Sequence, residues 1–113
     1  MGSSLATKRC KPCEGGVAPL TADQTREYLT KVKPHWAVAA DGKSIQATFD
    51  FRNYYQTLAF VNAVGWIAHQ EDHHPDISFG YKSCAITYST HAIGGLSEND
   101  FICAAKVDAL QRS

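Results

Sequence analysis

Net charge is what this chain most plainly lacks: eleven Lys and Arg balance eleven Asp and Glu. No overall field therefore draws in nucleic acid or an anionic lipid surface. No apolar run approaches the roughly 20 residues needed to cross a bilayer. Residues 1–9 lack the apolar stretch of a secretory signal, so a cytoplasmic location is the default expectation. Cysteine is sparse, at Cys10, Cys13, Cys84 and Cys103. Cys10-Lys11-Pro12-Cys13 has the spacing of zinc and redox centres. Cys84 and Cys103, however, are 19 residues apart, so the second close pair of a four-cysteine zinc site is missing. Glu14-Gly15-Gly16 follows where a thioredoxin-type centre would open a helix. This segment reads as a loosely ordered tail with reduced thiols.

What is present is enough for one small domain. The chain has 113 residues, 44% of them apolar, which suits a single core. Residues 1–20 hold Pro12, Gly15, Gly16 and Pro19 without periodicity and form the irregular lead-in. Residues 21–113 form the domain. Thr21-Ala22-Asp23-Gln24 has the capping-box pattern, so a helix is expected from about Ala22 to Val32, ending before Pro34. Asp41-Gly42 between Trp36–Ala39 and Ser44–Phe51 signals a hairpin. In its second strand Ile45, Ala47, Phe49 and Phe51 alternate with polar residues, the pattern of a sheet with one buried face.

A long helix is expected from Asn53 to about His69, with Leu58, Val61, Val64, Gly65 and Ala68 on its apolar face and Phe60 and Ile67 beside them. Pro75 ends it. Ile77–Tyr81 and Ala85–Thr90 read as two further strands. Ser97-Glu98-Asn99-Asp100 then opens a closing helix, with Asp100 in its first turn where a negative charge suits the dipole. The order is α-β-β-α-β-β-α, an α+β arrangement.

Histidine is the residue with chemistry to explain. Asp72-His73-His74-Pro75 places two imidazoles together, with His69 upstream and His91 downstream. Antiparallel pairing of the last two strands would return His91 to the rim that carries His73 and His74. His35, in a Pro-His-Trp turn, reads as structural. A metal site is one reading, because His69 and His73 are one helical turn apart. Position 70 is glutamine, so the H-E-x-x-H motif is absent, and a third ligand would have to come from His91 or Asp100. A packed, purely structural pair is a second reading. Acid–base catalysis without a metal is the preferred third, since imidazole exchanges protons near neutral pH.

Asp72-His73-His74-Pro75, Tyr81, Ser89-Thr90-His91, Gly95-Leu96-Ser97-Glu98 and Asp100 together resemble the signature of the pterin-4a-carbinolamine dehydratases. Five residues separate Pro75 from Tyr81, nine separate Tyr81 from His91 and eight separate His91 from Asp100, as in that family. The resemblance spans residues 20–113, and the Cys10–Gly16 lead-in is similar to that of bacterial members. The sequence departs from the family at His69, where an acidic residue is frequent, and at Ile77 and Lys82-Ser83-Cys84.

The resemblance implies a four-stranded antiparallel sheet with helices on one face, assembled as a homodimer or homotetramer. It implies loss of water from a 4a-hydroxytetrahydropterin, regenerating the pterin of an aromatic amino acid hydroxylase, with no metal or cofactor. It also implies catalytic His73, His74 and His91. Asp72, Ser89, Thr90 and Ala92 join the histidines in contacting substrate, with Asp100 and His69 behind them and Asp100 orienting His91. Animal members also serve as dimerisation cofactors of a homeodomain transcription factor, and bacterial members have been linked to hydroxylase expression. An interaction protein and a small metal-binding protein are therefore the alternatives to the enzyme.

Overall fold

The computed structural model describes residues 4–12 and 17–110. Its elements follow the expected order: α1 (Ala22–Leu29), β1 (Ala37–Val38), β2 (Ile45–Asp50), α2 (Tyr54–Glu71), β3 (Asp76–Phe79), β4 (Ser83–Tyr88) and α3 (Glu98–Leu110). The four strands form one antiparallel sheet in the order β1-β2-β4-β3.

Local chemistry accounts for the element ends. The Gln24 amide donates to Thr21 Oγ1, and the Thr21 amide donates back to the Gln24 side chain, satisfying two amides that helix geometry leaves unpaired. The helix is shorter than its pattern suggests. After Leu29 the amides of Thr30, Lys31 and Val32 bond three residues back instead of four, which tightens the last turn. In the hairpin Gly42 adopts φ +71°, a left-handed conformation that glycine takes without steric penalty.

The alternation in β2 is reproduced in burial: Ile45, Ala47 and Phe49 point inward while Gln46, Thr48 and Asp50 are exposed. They face Cys84, Ile86 and Tyr88 of β4, paired as Phe49 with Cys84, Ala47 with Ile86 and Ile45 with Tyr88. Burying each large apolar side chain contributes about 1.5–3 kcal/mol. The helices cover this inner face. In α2 the buried stripe is Thr57, Phe60, Val64 and Ile67, rotated from the expected one, and Gly65 is exposed. Thr57 can stand in that stripe because its hydroxyl reaches the Tyr81 carbonyl at 3.0 Å.

The lead-in is the main departure from expectation. Ser4–Thr7 forms a 3-10 turn, and Leu5 is buried in the core. Lys106 Nζ donates to the Ala6 carbonyl at 2.9 Å. Residues 5–12 are thus docked on α3 and are not a loose tail, because burying Leu5 and pairing its neighbours' backbone outweighs the lost chain entropy. Cys13 lies outside the described residues. His35 has the structural surroundings expected of it: Nε2 lies 2.7 Å from Asp108 Oδ1, which also accepts from Trp36 Nε1.

Candidate active site

The chain turn that makes the site begins at Asp72. This residue caps α2 with φ 51° and ψ 43°, and it is the one non-glycine with positive φ among the described residues. Aspartate tolerates that region better than most residues. The turn carries the backbone off the helix, so His73 does not continue the face on which His69 lies. His69 stays exposed on α2, its ring tilted against that of Trp66 with centroids 5.2 Å apart, away from the cavity where a supporting role was expected of it.

Pro75 is buried and leads into β3, whose Asp76 pairs with Thr87 of β4. The end of β4 therefore returns beside His73 and His74, as the antiparallel pairing predicts. A 3-10 turn at His91–Ile93 follows, and an isolated bridge from Thr90 to Gly95 leads the chain into α3.

Asp100 is the electrostatic centre of this corner. It is completely buried, yet both of its oxygens have partners. Oδ1 lies 2.7 Å from His73 Nε2. Oδ2 accepts from Thr90 Oγ1 at 2.8 Å and from the Ser97 amide at 3.0 Å. Its place in the first turn of α3 adds the favourable end of the helix dipole. A buried carboxylate is tolerated only with such pairing.

The carboxylate expected to orient His91 thus orients His73. The reason is geometric, since His73 is drawn inward to 12% side-chain exposure while His91 stands on an exposed turn. Because a carboxylate only accepts, Nε2 of neutral His73 carries the hydrogen and Nδ1 keeps a free lone pair. The ring lies parallel to that of Tyr88, 5.9 Å away at 6°. Burial pushes the Tyr88 phenol far above its ordinary range, so this neighbour stays neutral.

His74 and His91 are both exposed and face each other with ring centroids 6.3 Å apart. They border a cavity of about 500 Å³. It is lined by Asp72, His73 and His74 and by Ser89, Thr90, His91 and Ala92, with the exposed rings of His74 and His91 together at its opening. The expected residues meet here, apart from His69 and the supporting Asp100 beneath. Thr90 differs from expectation in one respect: its hydroxyl is engaged with Asp100 and with Ser97 Oγ at 2.7 Å. Among the described residues no three His, Cys, Asp or Glu side chains form a metal-holding group.

Sequence reading missed the third wall, which is the lead-in at Arg9, Cys10, Lys11 and Pro12. Glu71 and Asn99 hold it. Burial opposes ionisation of Glu71, but the Cys10 amide, Lys106 and Arg9 together keep its carboxyl below the ordinary value. Cys10 Sγ lies 3.5 Å from Cys103 Sγ. That hydrogen bond, and then burial, push the Cys103 thiol far up. No local pattern announces these pairings, because they join residues 61 to 93 positions apart.

The arrangement can move protons on a small heterocycle. One recessed imidazole is backed by a carboxylate, and two exposed imidazoles lie across the opening. Comparison with known proteins agrees with this chemistry. A family model for pterin 4 alpha carbinolamine dehydratase matches residues 18–110. A relative in Nitrosomonas eutropha that carries the pterin-4-alpha-carbinolamine dehydratase name is 59% identical, over 94% of this chain and 92% of its own. One in Legionella pneumophila with the same name is 47% identical over 97% of both. A crystal structure of a transcriptional coactivator/pterin dehydratase from Brucella melitensis superposes with a TM-score of 0.77 at 26% identity, covering 81% of this chain and 97% of that one. A pterin dehydratase-like RuBisCO assembly factor of the alpha-carboxysome gives 0.59 at 32% identity, covering 66% and 87%.

Proposed function

This chain belongs to the pterin 4 alpha carbinolamine dehydratase family, and from that premise we propose that it removes water from a 4a-hydroxytetrahydropterin to give a quinonoid dihydropterin. The observation that carries the reading is the His73–Asp100 pair set beneath a cavity bordered by His74 and His91. The reaction breaks the C4a–O bond, takes the proton from N5 and forms a C4a=N5 double bond. Water leaves once its oxygen has been protonated. The C4a–O bond breaks as water departs, and the protein itself has only protons to transfer, so acid–base side chains suffice.

His73 is the base in this scheme. Its free Nδ1 takes the N5 proton, and Asp100 stabilises the imidazolium that results. His74 or His91, across the opening, donates to the departing hydroxyl. Asp72, Ser89 and Ala92 would contact the pterin ring, and Thr90 would act through Asp100. The product, after a separate two-electron reduction to tetrahydropterin by another enzyme, would again serve an aromatic amino acid hydroxylase in the cytoplasm. No helix among the described residues is long and apolar enough to cross a membrane.

The two solved neighbours are described with other roles, as a coactivator and as an assembly factor. What favours an enzyme here is the complete set of cavity histidines, which a scaffold does not require. Stopped-flow mixing of the purified protein with synthetic 4a-hydroxytetrahydropterin tests the reading. Dehydration should run at least tenfold above the buffer rate at micromolar protein, and a rate indistinguishable from buffer would end it.

We further propose that the working unit is a homodimer or homotetramer. β3 is an edge strand, and Tyr54, Phe79 and Tyr81 form an exposed aromatic cluster beside it, with centroids 6.3–6.4 Å from Tyr54. An unpaired edge next to apolar surface invites a second copy. Light scattering should give two or four times the chain mass, and Phe79→Lys should lower it. A monomer at tens of micromolar would refute this.

A further inference from the structure

The lead-in segment lies outside residues 18–110, the stretch that matches the family model, yet it forms a wall of the histidine cavity. Its attachment is specific. The Lys11 amide donates to Asn99 Oδ1 at 3.0 Å, and Asn99 Nδ2 donates to the Lys11 carbonyl at 2.6 Å. The asparagine thus bonds the segment as a neighbouring strand would. The Cys10 amide donates to Glu71 Oε1 at 2.8 Å, and Arg9 Nε lies 3.0 Å from Glu71 Oε2. Asn99 is 6% exposed and the Glu71 side chain 5%. Burying such polar groups costs several kcal/mol unless they are paired, so these contacts hold the segment in one place.

The anchors are also registered to the chemistry. Asn99 immediately precedes Asp100, and Glu71 stands two residues before His73. Whatever positions the His73–Asp100 pair therefore positions the segment.

Resting on the dehydratase reading, we propose that Arg9–Pro12 is a strap that selects the substituent on C6 of the pterin. C6 is bonded to N5, the atom that loses its proton, so a substituent there projects from the reacting edge towards a wall close to His73. Lys11 lines that wall with an exposed ammonium, and Arg9 adds a second cation whose Nε is held by Glu71 and whose Nη2 donates to the Gln70 carbonyl at 3.1 Å. They suit a side chain rich in oxygen acceptors. Asn99 and Glu71 are positioning residues, acting through the strap.

The test compares two pterins that differ only at C6, 7,8-dihydrobiopterin with its dihydroxypropyl group and 6-methyl-7,8-dihydropterin, by fluorescence titration. KM is then measured for the corresponding 4a-hydroxy substrates. The wild-type protein should prefer the dihydroxypropyl form. Arg9→Ala with Lys11→Ala, which removes both cations of the strap and with Arg9 its tie to Glu71, should shrink that preference about fivefold, the size of one net hydrogen bond, with the loss falling on KM. Asn99→Ala should do the same by releasing the strap. If Asn99→Ala does not fold, the double variant alone decides. An unchanged preference in a folded double variant, with the wild-type protein active, would overturn the strap and leave the dehydratase reading standing. A wild-type protein that neither binds nor dehydrates a pterin would overturn both.

Discussion

His73→Ala lowers kcat/KM for dehydration by about 10²- to 10⁴-fold, the range contributed by a positioned general acid or base. The effect should exceed that of His74→Ala or His91→Ala, because among these three only His73 has a buried carboxylate behind it. His74 and His91 share the exposed side of the opening, where water or the other imidazole can partly replace either one. Removing His73 also leaves Asp100 Oδ1 without its nearest partner, so some stability is lost, on the order of 1–3 kcal/mol. Circular dichroism and a urea titration separate that loss from catalysis. A folded variant with the wild-type rate would mean that the proton passes elsewhere.

Asp100 gives the second large effect, and two substitutions divide its roles. Asp100→Ala removes the acceptor shared by His73, Thr90 and the Ser97 amide. Leaving these buried donors without an acceptor destabilises by about 1–3 kcal/mol each, together a large share of the roughly 5–15 kcal/mol that holds a domain folded. A marked drop in the urea midpoint is expected. Asp100→Asn keeps the shape and one accepting oxygen, so Thr90 and Ser97 can remain bonded. Its amide, however, cannot stabilise an imidazolium at His73, and facing that ring with hydrogens favours the opposite tautomer. Catalysis should therefore fall about 10²-fold or more while the midpoint moves far less. Equal, small effects on rate in both variants would show that the carboxylate serves only as the cap of α3.

Much of this was legible before any coordinates. The Thr21–Gln24 box, the Asp41-Gly42 turn and the alternation from Ile45 to Phe49 are short-range signals, written within one turn or one strand. The convergence of His73, His74 and His91 was legible too, because antiparallel pairing of two adjacent strands leaves the chain few ways to return. The stripe on α2 was misread because Thr57 looks polar in sequence. Its hydroxyl finds the Tyr81 carbonyl only once the strands have folded beneath it.

The amino-acid order by itself determined the elements, their succession, the resemblance to the dehydratases and the trio of imidazoles, since each depends on neighbours in the chain or on one hairpin. Tertiary structure alone decided that Asp100 serves His73 and not His91, that His69 turns away, and that residues 9–12 close the cavity. Those outcomes depend on a left-handed turn at Asp72 and on bonds between residues 61 to 93 positions apart. Contacts of that range are selected by how well every buried polar group is paired, and no window along the chain contains both partners.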